Sequence, residues 1–221
     1  MRQSSFAGVG FERYGKTTRR AAFLAEMEQV HVHLEARGIR ISTGTIVDAT
    51  IIAAPSSTKN ASGRRDPEMH QTRKGQQWYF GMKAHVGVDS KTKIIHAVVA
   101  TAANVHDSAA LGDLLHGEET RVWGDQAYRG QRDVIHEHAP RAKDFTNRRY
   151  RHRGMVDEAQ KARNRTKSRV RAKVEHCFAV IKGVFGFTKL RYRGLEKNAQ
   201  RLFVACSLAN LFMIRRRLMP A

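Results

Sequence analysis

The segment Gly44 to Ala54, GTIVDATIIAA, is a run of β-branched and small side chains broken once, by Asp48. In an extended strand Ile46, Thr50 and Ile52 share a face with Asp48, while Val47, Ala49 and Ile51 take the other. Both faces are largely apolar, so the segment reads as the central strand of a sheet covered on both sides. A carboxylate in such a strand is costly unless something positive holds it. Two further acids stand in similar places. Asp125 ends the short apolar run of VWGDQAY, and Glu175 lies in RAKVEHCF beside the apolar stripe of a basic helix.

These acids sit on a strongly basic chain. Lys and Arg number 40 against 20 acids in 221 residues, a formal charge of +20. From Arg141 to Arg201 there are 19 Lys/Arg against 5 Asp/Glu. That excess implies a polyanionic partner held through phosphate contacts that weaken with salt. The basic run is interleaved with Val170, Val174, Phe178, Ile181 and Phe185, which favours an ordered, DNA-facing surface over a solvated tail. The two cysteines, Cys177 and Cys206, form no CxxC, and no HExxH occurs, so a disulfide framework, a zinc finger and a zincin are excluded. The opening MRQSSFAGVG lacks the apolar core of a signal peptide. Leu202 to Ile214 contains Ser207 and Asn210 and is too short to span a bilayer. A cytoplasmic, nucleoid-associated protein with no membrane partner is expected.

Along the chain, residues 1 to about 17 read as loose. Thr18 to Arg37 reads as a helix with Phe23, Met27, Val30 and Leu34 on one stripe, ended by Gly38 and in need of a surface to dock on. Pro55 to Gln77 reads as a long polar loop. Trp78 to Val88 and Lys93 to Ala102 form a hairpin. Asp107 to His116 is a short helix capped by Asp107 or Ser108. A strand over Arg121–Trp123, a helix over Gly130–His138, a strand over Ala142–Thr146, a long helix from Val156 to Lys182 and a final helix from Leu195 to Leu218 complete the order. This alternation predicts an α/β fold with a mixed sheet flanked by helices. The first strand and the strand at 121 can lie side by side in it, which would bring Asp48 and Asp125 together.

On the long helix, at about 100° per residue, Arg171, Lys182 and Ser168 fall within about 40° of Glu175. Val174, Phe178 and Phe185 lie alongside, so the helix can bury its apolar stripe while Glu175 stays at the rim. Three carboxylates meeting there would repel one another. Two divalent cations relieve that repulsion; Mg²⁺ prefers such hard oxygen ligands. A metal pair ~3.5–4 Å apart serves in-line displacement at a phosphodiester. Arg171 and Lys182 would flank the site and hold phosphates. Lys83 and His85, on one face of GMKAH, are further candidates for lining it and touching phosphate, with a satisfied core histidine as the other reading of His85; Arg129, just past Asp125, is a candidate for contacting DNA. Trp78, Tyr79, Phe80 and Tyr128 are candidates for base stacking or for the core. Each acid also has a plainer reading: Asp48 as a structural acid held by a nearby Arg or Lys, Asp125 as a turn cap, Glu175 as a surface partner of Arg171.

Five blocks in order, GTIVDATIIAAPSSTKN, WYFGMKAHVGVD, ATAANVHDS, VWGDQAYRG and RxxxExxxxxxK across Arg171, Glu175 and Lys182, resemble the DDE transposases of bacterial insertion sequences, specifically insertion-sequence family five. The resemblance covers roughly residues 40 to 215. It implies a ribonuclease-H-like catalytic fold, Mg²⁺ dependence with Mn²⁺ as a substitute, and double-stranded DNA (element ends and target) as substrate. A homo-oligomer is compatible with it. By position Asp48, Asp125 and Glu175 match the family's acidic triad. Arg171 and Lys182 match the signature around its glutamate; where relatives often carry a tyrosine, this chain has Ser168. Only 47 residues precede Asp48, and FERYGKTTRRAAFLAEMEQV passes almost directly to HLEARG. The resemblance therefore implies an internal deletion of the region that recognises element ends. It leaves a residual N-terminal segment with one helix (1–40) ahead of the catalytic domain (41–221). A non-catalytic, DNA-binding derivative that inhibits transposition is the alternative expectation.

Overall fold

The computed structural model describes residues 18–219, with side chains from Met27 onward; the loose N-terminal stretch and the Phe23 side chain lie outside the described residues. In chain order the elements are α1 (Thr18–Ala36), β1 (Gly44–Ala53), β2 (His70–Lys74), β3 (Gln77–Asp89), β4 (Ile95–Ala102) and β5 (Arg121–Trp123). There follow α2 (Arg132–His138), β6 (Lys143–Asp144), β7 (Arg151–His152), β8 (Met155–Val156), α3 (Glu158–Arg171), α4 (Lys173–Ala179) and α5 (Leu195–Leu218).

β1 is central, as its two apolar faces require. It pairs antiparallel with β3 and parallel with β5. β3 pairs with β4 and, through its first residues, with β2, while β6 adds in parallel to β5. This six-stranded mixed sheet with helices is the α/β arrangement expected, consistent with a ribonuclease-H-like domain. Gly81 is where β3 crosses closest to β1: a Cβ there would stand 2.1 Å from the Ile52 carbonyl oxygen, so no larger residue fits.

The two faces carry separate cores. Ile46, Ile52 and Val86 pack with Val174, Phe178 and Ile181 of the α4 region and with Leu202, Phe203 and Cys206 of α5. On the opposite face Val47, Val99 and Val122 meet Leu111, Leu114, Tyr128 and Ile135. The docking that α1 needs is supplied by the first core through Met27 and by a smaller cluster in which Leu34 and Ile39 meet Ile94 and Ile214. Gly38 ends α1 at φ +76°, and the Ile39 N–H returns to the Leu34 carbonyl at 3.0 Å.

Four expectations are corrected. Part of the stretch read as a loop, Pro55 to Gln77, forms β2; His70-Gln-Thr-Arg-Lys has no apolar alternation, and its strand state comes from pairing with β3. The segment Asp107–His116 makes two short 3₁₀ turns, 107–110 and 112–114, and their first cap is the His106 ring, which accepts the Ser108 N–H at 3.3 Å. The single long helix is broken at Ala172 and passes into a π turn, Val180–Val184. Its expected first residue, Val156, ends β8, which pairs only with β7, and Asp157 caps α3 instead.

Asn210 joins α5 to the sheet. Fully buried, it accepts the Ile95 N–H through Oδ1 and donates Nδ2 to the Ile95 carbonyl, both at 2.8 Å. The same carbonyl also meets His31 Nε2 at 3.1 Å, so the N–H depends on Asn210 while the carbonyl has a second partner. Asn210→Leu should lower unfolding free energy by about 1–3 kcal/mol, the cost of one orphaned buried donor, and urea denaturation measures it.

Burial holds three histidines below their ordinary range: His31, His85 (to about 4) and His96. Each takes up a proton more readily in the unfolded chain. Their contribution is whole above the unfolded value of about 6.5 and is lost as pH falls toward the folded values. Asp48 runs the other way: burial lifts it to about 6, so protonation between that value and the ordinary carboxylate range favours the fold. Three groups outweigh one. The denaturation midpoint should therefore fall between pH 7 and 5; a flat profile would contradict this assignment.

Candidate active site

Asp48 pairs with Val86 across β3, on the face covered by α4 and α5. Across the parallel pair, Ile46 stands opposite Trp123. Asp48 and Asp125 each follow that couple by two residues, so the two aspartates stand level, Asp48 in the middle of β1 and Asp125 just past the end of β5. The chain leaves β5 at Gly124. Asp125 then caps the turn 126–128, accepting the Ala127 N–H at 2.8 Å through Oδ1. Its other oxygen has no hydrogen-bond or ion-pair partner among the described residues.

Glu175 reaches the same place from the first turn of α4. One cleft of about 440 Å³ is lined by Asp48, Asp125 and Glu175, together with Arg171 and Phe178. Arg171 Nη1 donates to Asp48 Oδ2 in a close ion pair and stands 3.8 Å from Glu175 Oε1. One guanidinium nitrogen thus touches two of the three acids. The helix break at Ala172 leaves this i, i+4 pair intact. Glu175 is 63% exposed at the rim and Asp48 only 11%, measured on the side chains.

The electrostatics follow from that burial. The Asp48 carboxyl is pushed up to about 6 by burial. Arg171 and the Ala49 N–H oppose the rise, while Asp125 and Glu175 add to it by repulsion. Lys182 enters from the π turn, a backbone form frequent at functional sites. It donates to Thr50 Oγ1 at 2.6 Å and to the Ile51 carbonyl at 3.2 Å. Its ammonium is held below the ordinary lysine range by burial and by Lys74, against Glu175.

The remaining sequence candidates divide. Lys83 lines the cleft, with its ammonium 2.8 Å from Asp107 Oδ1 and 2.7 Å from the Val105 carbonyl. His85 does not reach the surface: it is fully buried and bonded to Thr101 Oγ1 at 2.8 Å. Its expected phosphate contact is corrected on that ground, since a side chain with no exposed surface touches no DNA. Arg129 is exposed beyond the turn that Asp125 caps, outside the cleft lining. Tyr128 is a core residue, and Trp78 is exposed.

Sequence reasoning missed two contributors. Asp107 is a fourth carboxylate in the cleft, and Thr72, Arg73 and Lys74 of β2 form one wall. The readable signal for the latter was Gly75 between a polar extended stretch and WYF, a two-residue hairpin loop.

Among the described residues no three His, Cys, Asp or Glu side chains converge closely enough to hold one ion together, and no helix is long and apolar enough to cross a membrane. A family model described as a transposase DDE domain matches residues 40–211, well over half of the chain. As a class, proteins with this domain bind DNA, use divalent metals and carry out transposition. The matched span contains β1, β5 and α4, the elements that bring the three acids to one cleft, and the chain belongs to the DDE transposase domain family.

Proposed function

We propose that this chain is a transposase of insertion-sequence family five, cutting and joining DNA at the ends of a mobile element. The observation that carries the reading is the single cleft lined by Asp48, Asp125 and Glu175, with Arg171 between the first and the last. The donor set suits a hard divalent cation: carboxylate oxygens only, one of them raised toward neutrality by burial and by its acidic neighbours. In the arrangement described, Arg171 supplies the positive charge between Asp48 and Glu175, so a cation held by those acids competes with it.

Asp48, Asp125 and Glu175 are the proposed catalytic ligands, for two Mg²⁺ ions or for Mn²⁺ in their place. Metal bound there would activate an attacking oxygen and stabilise the leaving one, first for hydrolysis and then for strand transfer. The chain's own cations do the positioning. Arg171, freed from the acids, and Lys182, anchored on Thr50 and Ile51 at the cleft wall, hold phosphates. Lys83 acts from the wall and Arg129 from the outer rim. The basic surface of α3, with Arg163, Arg165 and Arg169 exposed, guides the duplex toward them.

We further propose the division at residue 40 into a residual N-terminal segment and the catalytic domain. The junction between FERYGKTTRRAAFLAEMEQV and HLEARG is assigned to an internal deletion, because little chain separates it from Asp48. A second reading, a DNA-binding derivative that no longer cuts and inhibits transposition, draws on one observation: Arg171 is already ion-paired with Asp48 and stands 3.8 Å from Glu175, in the place a cation would take.

Asp48→Asn keeps the shape of the side chain and should lower Mg²⁺-dependent plasmid nicking by roughly 10²–10³-fold or more, the scale of losing one group that stabilises transition-state charge. Duplex binding with no nicking by the unmutated chain under Mg²⁺ or Mn²⁺ favours the inhibitor reading. Arg171→Gln separates competition from positioning. At pH 8.5, where Asp48 is ionised, the variant should reach its maximal rate at lower Mg²⁺, with that rate reduced. A higher Mg²⁺ requirement would show that Arg171 does not compete for these acids.

A further inference from the structure

The wall of the cleft facing the acids is the hairpin of β2 and β3. Its strands pair Thr72 with Tyr79, Arg73 with Trp78 and Lys74 with Gln77, leaving the two-residue loop Gly75-Gln76. Gly75 has φ +62°, which the twist of so tight a turn requires. Arg73 fastens the loop, donating Nε to the Gly75 carbonyl at 3.1 Å and a second nitrogen to the Gln76 side chain. This braced turn presents a tryptophan that is 63% exposed.

An indole so exposed gains nothing from the core. The chain's other tryptophan, Trp123, is buried against Phe145, with ring centroids 5.5 Å apart. Trp78 is directly opposite Arg73 and next to Lys74 in the ladder, and both basic residues line the same cleft as Asp48, Asp125 and Glu175. Arg73 shares the face of Trp78, while Lys74, opposite Gln77, takes the other face of the hairpin. A flat aromatic face beside a cation matches the chemistry of a nucleotide: phosphate for the cation and a base for the ring. Bases inside a duplex already have both faces stacked. Only an unpaired base, at a fork, nick or strand end, offers a free one.

We propose that the β2–β3 hairpin is a subsite for an unpaired DNA base beside the cleft, with Trp78 stacking on the base and Arg73, on the same face, meeting its phosphate. The inference rests on the function proposed above and deepens it: the cut end is gripped as a frayed strand rather than as intact duplex. Neither the acidic triad nor the basic surface of α3 requires this preference.

The test uses the full chain in EDTA, so that no cutting occurs. The probes are a forked duplex with unpaired terminal nucleotides and a covalently closed duplex circle, which has neither ends nor unpaired bases. Forked DNA should quench the tryptophan emission of the unmutated chain but not of Trp78→Ala, whose remaining Trp123 is shielded. Trp78→Ala should bind the fork roughly 5- to 150-fold more weakly, the range for one lost base–aromatic stack, with paired-duplex affinity and thermal midpoint unchanged. Trp78→Phe should recover most of the loss, because any aromatic face stacks. Equal fork affinity in Trp78→Ala overturns the proposal. So does an emission change that follows protein concentration alone, since a second copy would then cover the indole. Plasmid nicking reads the parent function separately: quenching without nicking removes the transposase reading and leaves the stacking site, and nicking without quenching does the reverse.

Discussion

The ion pair between Arg171 and Asp48 ties the centre of the sheet to the helical layer. Asp48 occupies the strand that pairs on both edges, under a layer of apolar side chains, where an unanswered negative charge is costly. Arg171 answers it from the last residue of α3, and the same guanidinium reaches Glu175 one turn on. The helix break at Ala172 and the Lys173 ammonium, 2.6 Å from the Ser90 carbonyl, fix how α4 meets the sheet. The pair works against full ionisation as well as for it. Burial lifts the Asp48 carboxyl by more than Arg171 lowers it, so the site keeps an unmet demand for positive charge.

Few cations answer that demand directly, in a protein otherwise rich in them. Lys182 is committed to Thr50 and the Ile51 carbonyl, and Lys83 to Asp107 and the Val105 carbonyl. Both lysines are thereby pinned to the cleft walls, while most arginines of α3 remain exposed. The division suits polyanion chemistry: a diffuse outer field gathers the duplex, and a few fixed donors orient phosphate near the acids. Trp78, on the β2–β3 hairpin, adds an aromatic face to that arrangement without itself taking part in the core.

Much of this was legible in the chain. The apolar run around Asp48 dictated a central strand because both faces had to be covered, and β1 is central. The turn residues around Asp89 marked the β3–β4 hairpin, and the spacing of Arg171 and Glu175 put them on one face of a helix. β2 was hidden because a polar edge segment becomes a strand only through its neighbour. The burial of His85 was hidden for a related reason: alternation places it on a face, but the depth of that face depends on Thr101 beside it on β4 and on the layer of Leu111, Leu114 and Tyr128 that covers the paired Val99.

The sequence by itself determined which residues carry charge, which segments must be buried and which strand lies in the middle, because these follow from side-chain chemistry and the period of the backbone. Only the tertiary structure decided that four carboxylates share one cleft, that Arg171 stands between two of them and that Trp78 faces solvent beside it. The reason is distance. Asp48, Asp107, Asp125 and Glu175 are far apart along the chain, and no local preference encodes their separation. It is set by the parallel pairing of β1 with β5 and by the packing of α4 across that pair.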